Sequence, residues 1–316
     1  MTIKSQCSLE GVPLFCRAPA RTLLFVCLAV LIAAAEAVPQ EPMFVNVPPT
    51  FSDIPYVQGG GERQQLDIYL PTNYQEIEKM PVLVWIHGGS WSIGSKKDMP
   101  PTTIFIERGY ACVSINYRLI KQATFPAQIE DCAAAVRWLR ANAKTYHLDP
   151  DRMGVWGASA GGHLVALLGT FSYRKDFDVG ENLDQSSAVQ AVCDIFGPTD
   201  LVLYARLLPF VAKEGGIIAN LLGGPVSEKR DLAVLASPIF HITKDCPPFL
   251  ILHGSSDVLV PVFQSTRFYD ALKKEGVEAE LIIKEGVGHD AGIATPDTMV
   301  KVVEFFDKYV KKVPPQ

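Results

Sequence analysis

The 316-residue chain contains no C-x-x-C pair, no two histidines four positions apart and no run of basic residues. The first two absences exclude the familiar zinc spacings, and no metal or organic cofactor is expected. The third, beside a formal net charge of −5, argues against nucleic acid as a partner and leaves small neutral or apolar substrates as the better fit. Internal repeats and low-complexity linkers are also missing, so nothing divides the chain, and its length suits one α/β unit. The apolar run at 23–35 is too short to span a bilayer. Lys4, Arg17 and Arg21 precede it and Ala35-Glu36-Ala37 follows, so residues 1–37 read as a signal peptide. Export to the periplasm or beyond, with no stable membrane span after cleavage, is the expectation. Of seven cysteines, Cys7, Cys16 and Cys27 would leave with that segment. Cys112 and Cys193 lie in apolar strand-like runs and Cys132 near the start of a helix, the usual settings of buried thiols. Export permits a disulfide among these and Cys246, but spacing does not name one.

Residues 38–52 are rich in proline and read as an extended lead-in. Segments 54–57 and 65–70 flank Gly59-Gly60-Gly61-Glu62, and Leu66, Ile68 and Leu70 alternate with polar residues. That pattern predicts a hairpin at a sheet edge. Beyond it come short, continuously apolar runs at 82–86, 110–116, 152–156, 189–196, 249–253 and 278–284. Helical patterns at 101–108, 126–143, 160–168, 261–275 and 296–312 separate them. Buried parallel strands alternating with helices predict an α/β fold over 53–316, with a mostly parallel central sheet and helices on both faces. One stretch, 199–236, breaks the alternation. It is mostly helical, with Leu201, Leu203, Leu207, Leu208 and Phe210 crowded into its first part. It reads as a satellite helical segment packed on the body or as a cap over an active-site mouth.

The run Gly157-Ala158-Ser159-Ala160-Gly161 holds one serine between two glycines at the end of an apolar strand. A strand turning sharply into a helix with a side chain at its apex needs such neighbours, and it presents a hydroxyl beside the next N–H. A tight turn alone would account for the same run. Residues just past several parallel strands share one crevice, however, and other strand ends supply what a serine nucleophile needs. The strand at 82–86 runs into His87-Gly88-Gly89-Ser90-Trp91, whose glycines leave backbone N–H groups unobstructed. Oxyanion donors are assigned to the N–H groups of Gly89, Ser90 and Ala160, with Gly88 shaping the turn and His87 bracing the loop. The strand at 249–253 ends in a turn carrying Asp257, the orienting acid. Asp194, Asp200 and Asp290 compete for that role but read equally as strand-end, helix-cap or solvated residues. His289, on a glycine-softened loop after the last core strand, is the base. His147, His163, His241 and His253 read as packing or capping residues.

These motifs, in the order Ser, Asp, His, resemble the α/β-hydrolase superfamily and differ from the chymotrypsin and subtilisin orders. Within it the chain is similar to the H-G-G carboxylesterases and lipases, nearest to the bacterial branch that includes bifunctional acetyl-xylan/feruloyl esterases. Asn116-Tyr117-Arg118 and the run from Phe196 to Leu201 share that likeness and read as structural, with Arg118 paired inside the fold. Hormone-sensitive-lipase-like members carry a third glycine where this chain has Ser90, a departure from that subgroup. The resemblance implies a Ser159–His289–Asp257 triad that hydrolyses carboxylic esters, with acetyl or feruloyl esters of polysaccharides among the candidates. A serine peptidase or amidase of prolyl-oligopeptidase type, a lipase on longer acyl chains and a non-catalytic binding module are the alternatives. Oligomeric state is not legible.

Overall fold

The structure, a computed structural model, describes residues 47–100 and 102–312. The expected signal peptide at 1–37 and the lead-in as far as residue 46 lie outside the described residues. Eight strands form one sheet: β1 (Phe51–Pro55), β2 (Gln65–Tyr69), β3 (Met80–Ile86), β4 (Ala111–Ile115), β5 (Leu148–Ala158), β6 (Ala191–Ile195), β7 (Phe249–Gly254) and β8 (Ala279–Lys284). Their spatial order is β1-β2-β4-β3-β5-β6-β7-β8. The edge pairs β1–β2 and β2–β4 are antiparallel, and every pair from β4 to β8 is parallel. The carboxyl ends of β3, β5, β7 and β8 therefore open onto one edge of the sheet.

The parallel strands are apolar on both faces because both faces are covered. In β3, Val82, Val84 and Ile86 join one core and Leu83 and Trp85 the other. α1 (Thr103–Ile106) closes the second face with Phe105, while α2 (Ala127–Ala141) and α3 (Ala160–Thr170) close the first with side chains such as Ile129 and Leu164. The segment expected at 199–236 breaks into α4 (Leu201–Leu207), α5 (Pro209–Ala212), α6 (Ile217–Leu222) and α7 (Arg230–Leu235). Pro209, Gly215-Gly216 and Gly223-Gly224 interrupt what would otherwise be one long apolar helix. α8 (Phe263–Lys274) packs on the first face, and α9 (Pro296–Phe306) covers the second with Met299, Val302 and Phe306.

The bounds of β1, β5 and the last helix differ most from the sequence reading. β1 starts at Phe51, inside the expected lead-in, and stops at Pro55 rather than 57. The Phe51 ring packs edge-on against Tyr74 and Tyr146, a long-range aromatic contact that alternation cannot reveal. β5 reaches back to Leu148, which pairs with Met80 across an irregular register. The last helix ends at Phe306 and continues as a π turn over Asp307–Lys311. Cys112, Cys132, Cys193 and Cys246 are all free thiols. No helix among the described residues is long and apolar enough to cross a membrane.

Candidate active site

Ser159 sits at the junction of β5 and α3 with φ +56° and ψ −117°, a conformation that costs a non-glycine residue about 1–3 kcal/mol. Its surroundings enforce it. The Ser159 N–H donates to the Ile195 carbonyl at 2.9 Å, and the Ser159 carbonyl accepts from the His163 N–H at 2.9 Å. The turn also needs α3 pressed against β3: a Cβ on Gly161 would fall 2.0 Å from the Ile86 carbonyl oxygen.

The Ser159 hydroxyl lies 2.8 Å from His289 Nε2, and His289 Nδ1 lies 2.6 Å from Asp257 Oδ2. A carboxylate only accepts, so Nδ1 carries the hydrogen and Nε2 is left to accept from the serine O–H. Asp257 is itself pinned. Its Oδ1 takes the N–H groups of Leu259 and Val260 at 2.9 and 2.8 Å, and its Oδ2 lies 3.3 Å from His253 Nε2. Burial pushes this carboxyl up, but hydrogen bonds from His253, His289 and the Val260 N–H outweigh it and hold the group well below the usual carboxylate range. Asp257 is an anion at neutral pH.

On the other side of Ser159, the loop after β3 reverses through Gly89 (φ +101°), Ser90 (φ +54°) and Trp91 (φ +55°). A side chain on Gly89 would meet the Ile93 carbonyl at 2.4 Å. Among the described residues no acceptor takes the N–H of Gly89, Ser90 or Ala160. These three residues, with Gly88, line the cavity that also contains Ser159 and His289. Its volume is about 550 Å³. Trp91 and Phe196 form part of its wall below, and Tyr204, Phe210, Val211 and Ile217 from the helices α4 to α6 form part of it above.

The remaining candidates fall elsewhere. His87 donates from Nδ1 to the Gly88 carbonyl at 2.7 Å, accepts from Arg63 on Nε2 at 3.1 Å and stacks on Tyr117. Burial lowers it to about 4, so it stays neutral and braces the loop. His163 donates to the Ala236 carbonyl at 2.7 Å and accepts from the Trp91 indole at 3.2 Å. His147 bonds the Ile77 carbonyl, and His241 the carbonyls of Val234 and Leu235 at the end of α7. Asp290 accepts from the Gly292 N–H, Asp200 caps α4 through the Leu203 N–H, and Asp194 accepts from the Gly197 N–H. Arg118 pairs with Asp131 and Glu130.

Two residues of the site are not legible as such in the sequence. His253 reads there as a packing residue, yet its Nε2, which donates to the Val260 carbonyl at 2.7 Å, also lies 3.3 Å from Asp257 Oδ2, while its Nδ1 accepts from the Ser265 hydroxyl at 2.6 Å. Its place at the end of an apolar strand, four positions before Asp257, is the signal that could find it. Phe196, with φ +44°, holds its ring centroid 4.4 Å from that of His289; only the apolar run ending in Phe196-Gly197 hints at it.

The BD-FAE family model matches residues 66–272. Esterase LipQ of Mycobacterium tuberculosis is 35% identical over 232 residues, 71% of this chain and 53% of that protein. The chain spans about half the length of the curated relatives it matches. Among solved structures, a truncated carbohydrate esterase from gut microbiota superposes with a TM-score of 0.74 at 32% identity, covering 82% of this chain and 95% of that one. An acetyl ester-xyloside bifunctional hydrolase from Caldicellulosiruptor lactoaceticus gives 0.62 at 28% identity, covering 77% and 85%. With a match that takes in β2 through most of α8 and a sheet of this order, the chain belongs to the BD-FAE family of α/β-hydrolases, related to the bifunctional acetyl-xylan esterases.

Proposed function

We propose that this protein is a serine carboxylesterase with Ser159 as nucleophile, His289 as base and Asp257 as the acid that orients it. The observation that carries the reading is the unbroken chain from Ser159 Oγ through His289 to Asp257, at 2.8 and 2.6 Å. As Ser159 Oγ attacks the ester carbonyl, His289 Nε2 takes its proton. The resulting imidazolium is stabilised by the Asp257 carboxylate, which keeps its charge throughout. The oxyanion is met by the N–H groups of Gly89, Ser90 and Ala160, donors with no competing acceptor among the described residues. His289 then gives the proton to the departing alkoxide, leaving an acyl-Ser159 ester. Water, deprotonated by the same nitrogen, attacks that ester, and His289 returns the proton to Ser159 Oγ as the C–Oγ bond breaks, which releases the acid and restores free Ser159.

The substrates we propose are carboxylic esters borne on small molecules or polysaccharides, acetyl and feruloyl esters among them. The gut carbohydrate esterase and the acetyl ester-xyloside hydrolase support the polysaccharide part by likeness. A largely apolar cavity of about 550 Å³ supports an acyl group larger than acetyl. We further propose, on sequence grounds alone, that residues 1–37 direct export, and that 53–316 form one hydrolase domain with 199–236 as its cap. The test of the catalytic reading is Ser159→Ala assayed on p-nitrophenyl acetate, expected to lose hydrolysis by about 10,000-fold or more with an unchanged melting temperature. Retained turnover would overturn it. An acyl-chain-length series beside methyl ferulate and acetylated xylan then ranks the substrates.

A further inference from the structure

A second cavity, about 700 Å³, lies against α4, α5 and α7, and none of Ser159, Asp257 or His289 lines it. The single turn of α5 contributes to both spaces: Phe210 and Val211 line the active-site cavity, Pro209 and Ala212 this one. Arg206, Lys213, Arg230 and Arg267 line it against only two carboxylates, Asp200 and Glu214. That is a surplus of positive charge in a chain of net charge −5. One guanidinium is committed, since Arg267 reaches Asp200 Oδ2 at 3.4 Å. Every other arginine of the described residues outside this cavity donates to a carbonyl or a carboxylate. Arg206 and Arg230 alone have no such acceptor among the described residues, and both line this one cavity. Phe240, 49% exposed, offers an apolar ring to the same cavity.

Two guanidinium forks and a flat apolar ring lining one cavity suit an anionic group carried on an apolar face. A planar fork pairs with a carboxylate in two parallel charge-assisted hydrogen bonds, which neither a hydroxyl nor a neutral sugar can reproduce. The ring suits the C–H face of a pyranose. We propose that this cavity is a subsite for a hexuronic acid unit of a polymeric substrate, its carboxylate held by Arg206 and Arg230 and its apolar face set against Phe240. The proposal rests on the esterase reading for its meaning, because an ester-bearing polysaccharide is what would bring an acidic sugar here.

Calorimetric titration of the full chain tests the site without requiring turnover. The probes are a xylotriose bearing one glucuronic acid, tri-galacturonic acid and neutral xylotetraose, each added to the wild type and to the Arg206→Gln/Arg230→Gln double variant. At least one acidic probe should bind about tenfold or more tighter than the neutral one. That preference should vanish in the double variant and weaken as salt rises from about 50 to about 500 mM. Equal or absent binding of acidic and neutral probes by the wild type, or a preference that survives in the double variant, overturns the proposal. Hydrolysis of p-nitrophenyl acetate by the double variant should match the wild type within about twofold. A wild type inactive on that ester would instead sink the esterase reading, which separates the two failures.

Discussion

Below the active-site cavity, the groups around Ser159 hang from strand ends, and every polar side-chain atom of Ser159, His289 and Asp257 has a partner. Ser159 is fixed by the Ile195 carbonyl, His289 by Asp257, and Asp257 by two backbone N–H groups and His253. Above the cavity, the segment from α4 to α7 is four short helices broken by proline and paired glycines. It exposes Leu207 and Phe210 at 51% and 61% and carries the two arginines without acceptors. Hydrogen bonds tie the halves together, among them one from the Tyr204 hydroxyl in α4 to the Leu259 carbonyl and one from the Phe125 N–H to the Leu221 carbonyl in α6. The difference teaches where each task resides. Under the proposed function, the geometry that must hold within fractions of an ångström is built on the sheet, while the surface offered to substrate is built on short helices whose exposed side chains carry little of the fold's stability.

The sharpest way to break that comparison is in the lower half. Asp257→Asn should lower kcat on p-nitrophenyl acetate by about 10,000-fold, because an amide cannot hold the His289 Nδ1 hydrogen as an anion does. Asp290→Asn, which touches only its own turn at the Gly292 N–H, should stay within about twofold of wild type. Damage from Asp290→Asn in place of Asp257→Asn would mean that Asp257 is not the orienting acid. The upper half should respond differently. Phe210 lines the cavity yet is mostly exposed, so Phe210→Ala should leave the melting temperature nearly unchanged. Its KM for p-nitrophenyl octanoate should rise by about tenfold and that for the acetate by less than about twofold, as expected for lost apolar contact with the distal part of an acyl chain. A parallel rise for both esters would mean that α5 does not touch the acyl group.

What can be read in the sequence divides along the same line. Strand ends are legible because a continuous apolar run that stops at glycine is what a buried parallel strand and its tight exit loop require, and the sheet then forces those loops into one crevice. Ser159, Asp257, His289 and the Gly88–Gly89–Ser90 loop can be picked out for that reason. The 199–236 segment is recognisable only as helical and apolar. Which side chains face Ser159 depends on how Pro209 and Gly215-Gly216 redirect the chain, and no periodicity reports that. His253 escapes the sequence because a histidine packed at a strand end and one that holds a carboxylate look alike until the fold brings Asp257 within 3.3 Å. The β1 start at Phe51 escapes it too, because its ring partners, Tyr74 and Tyr146, are distant along the chain.

The smallest expected effect tests a buried polar atom that the lower half leaves without a partner. Asp194 is buried in β6; one oxygen accepts from the Gly197 N–H at 2.8 Å and Oδ2 has no partner among the described residues. Burial raises its carboxyl to about 6, against an ordinary value of about 3.9. Between those two values the folded chain binds a proton that the unfolded chain has released, so stability falls as pH rises through about 4 to about 6 and stays lower above. Asp194→Asn removes that titration while keeping an oxygen for the Gly197 N–H. Its melting temperature should exceed the wild type by a few degrees at pH 7 and match it near pH 4, with kcat within about twofold at both. A difference that is the same at the two pH values would mean that ionisation of Asp194 is not what limits this layer, and that the carboxyl and the amide differ there only in how they pack.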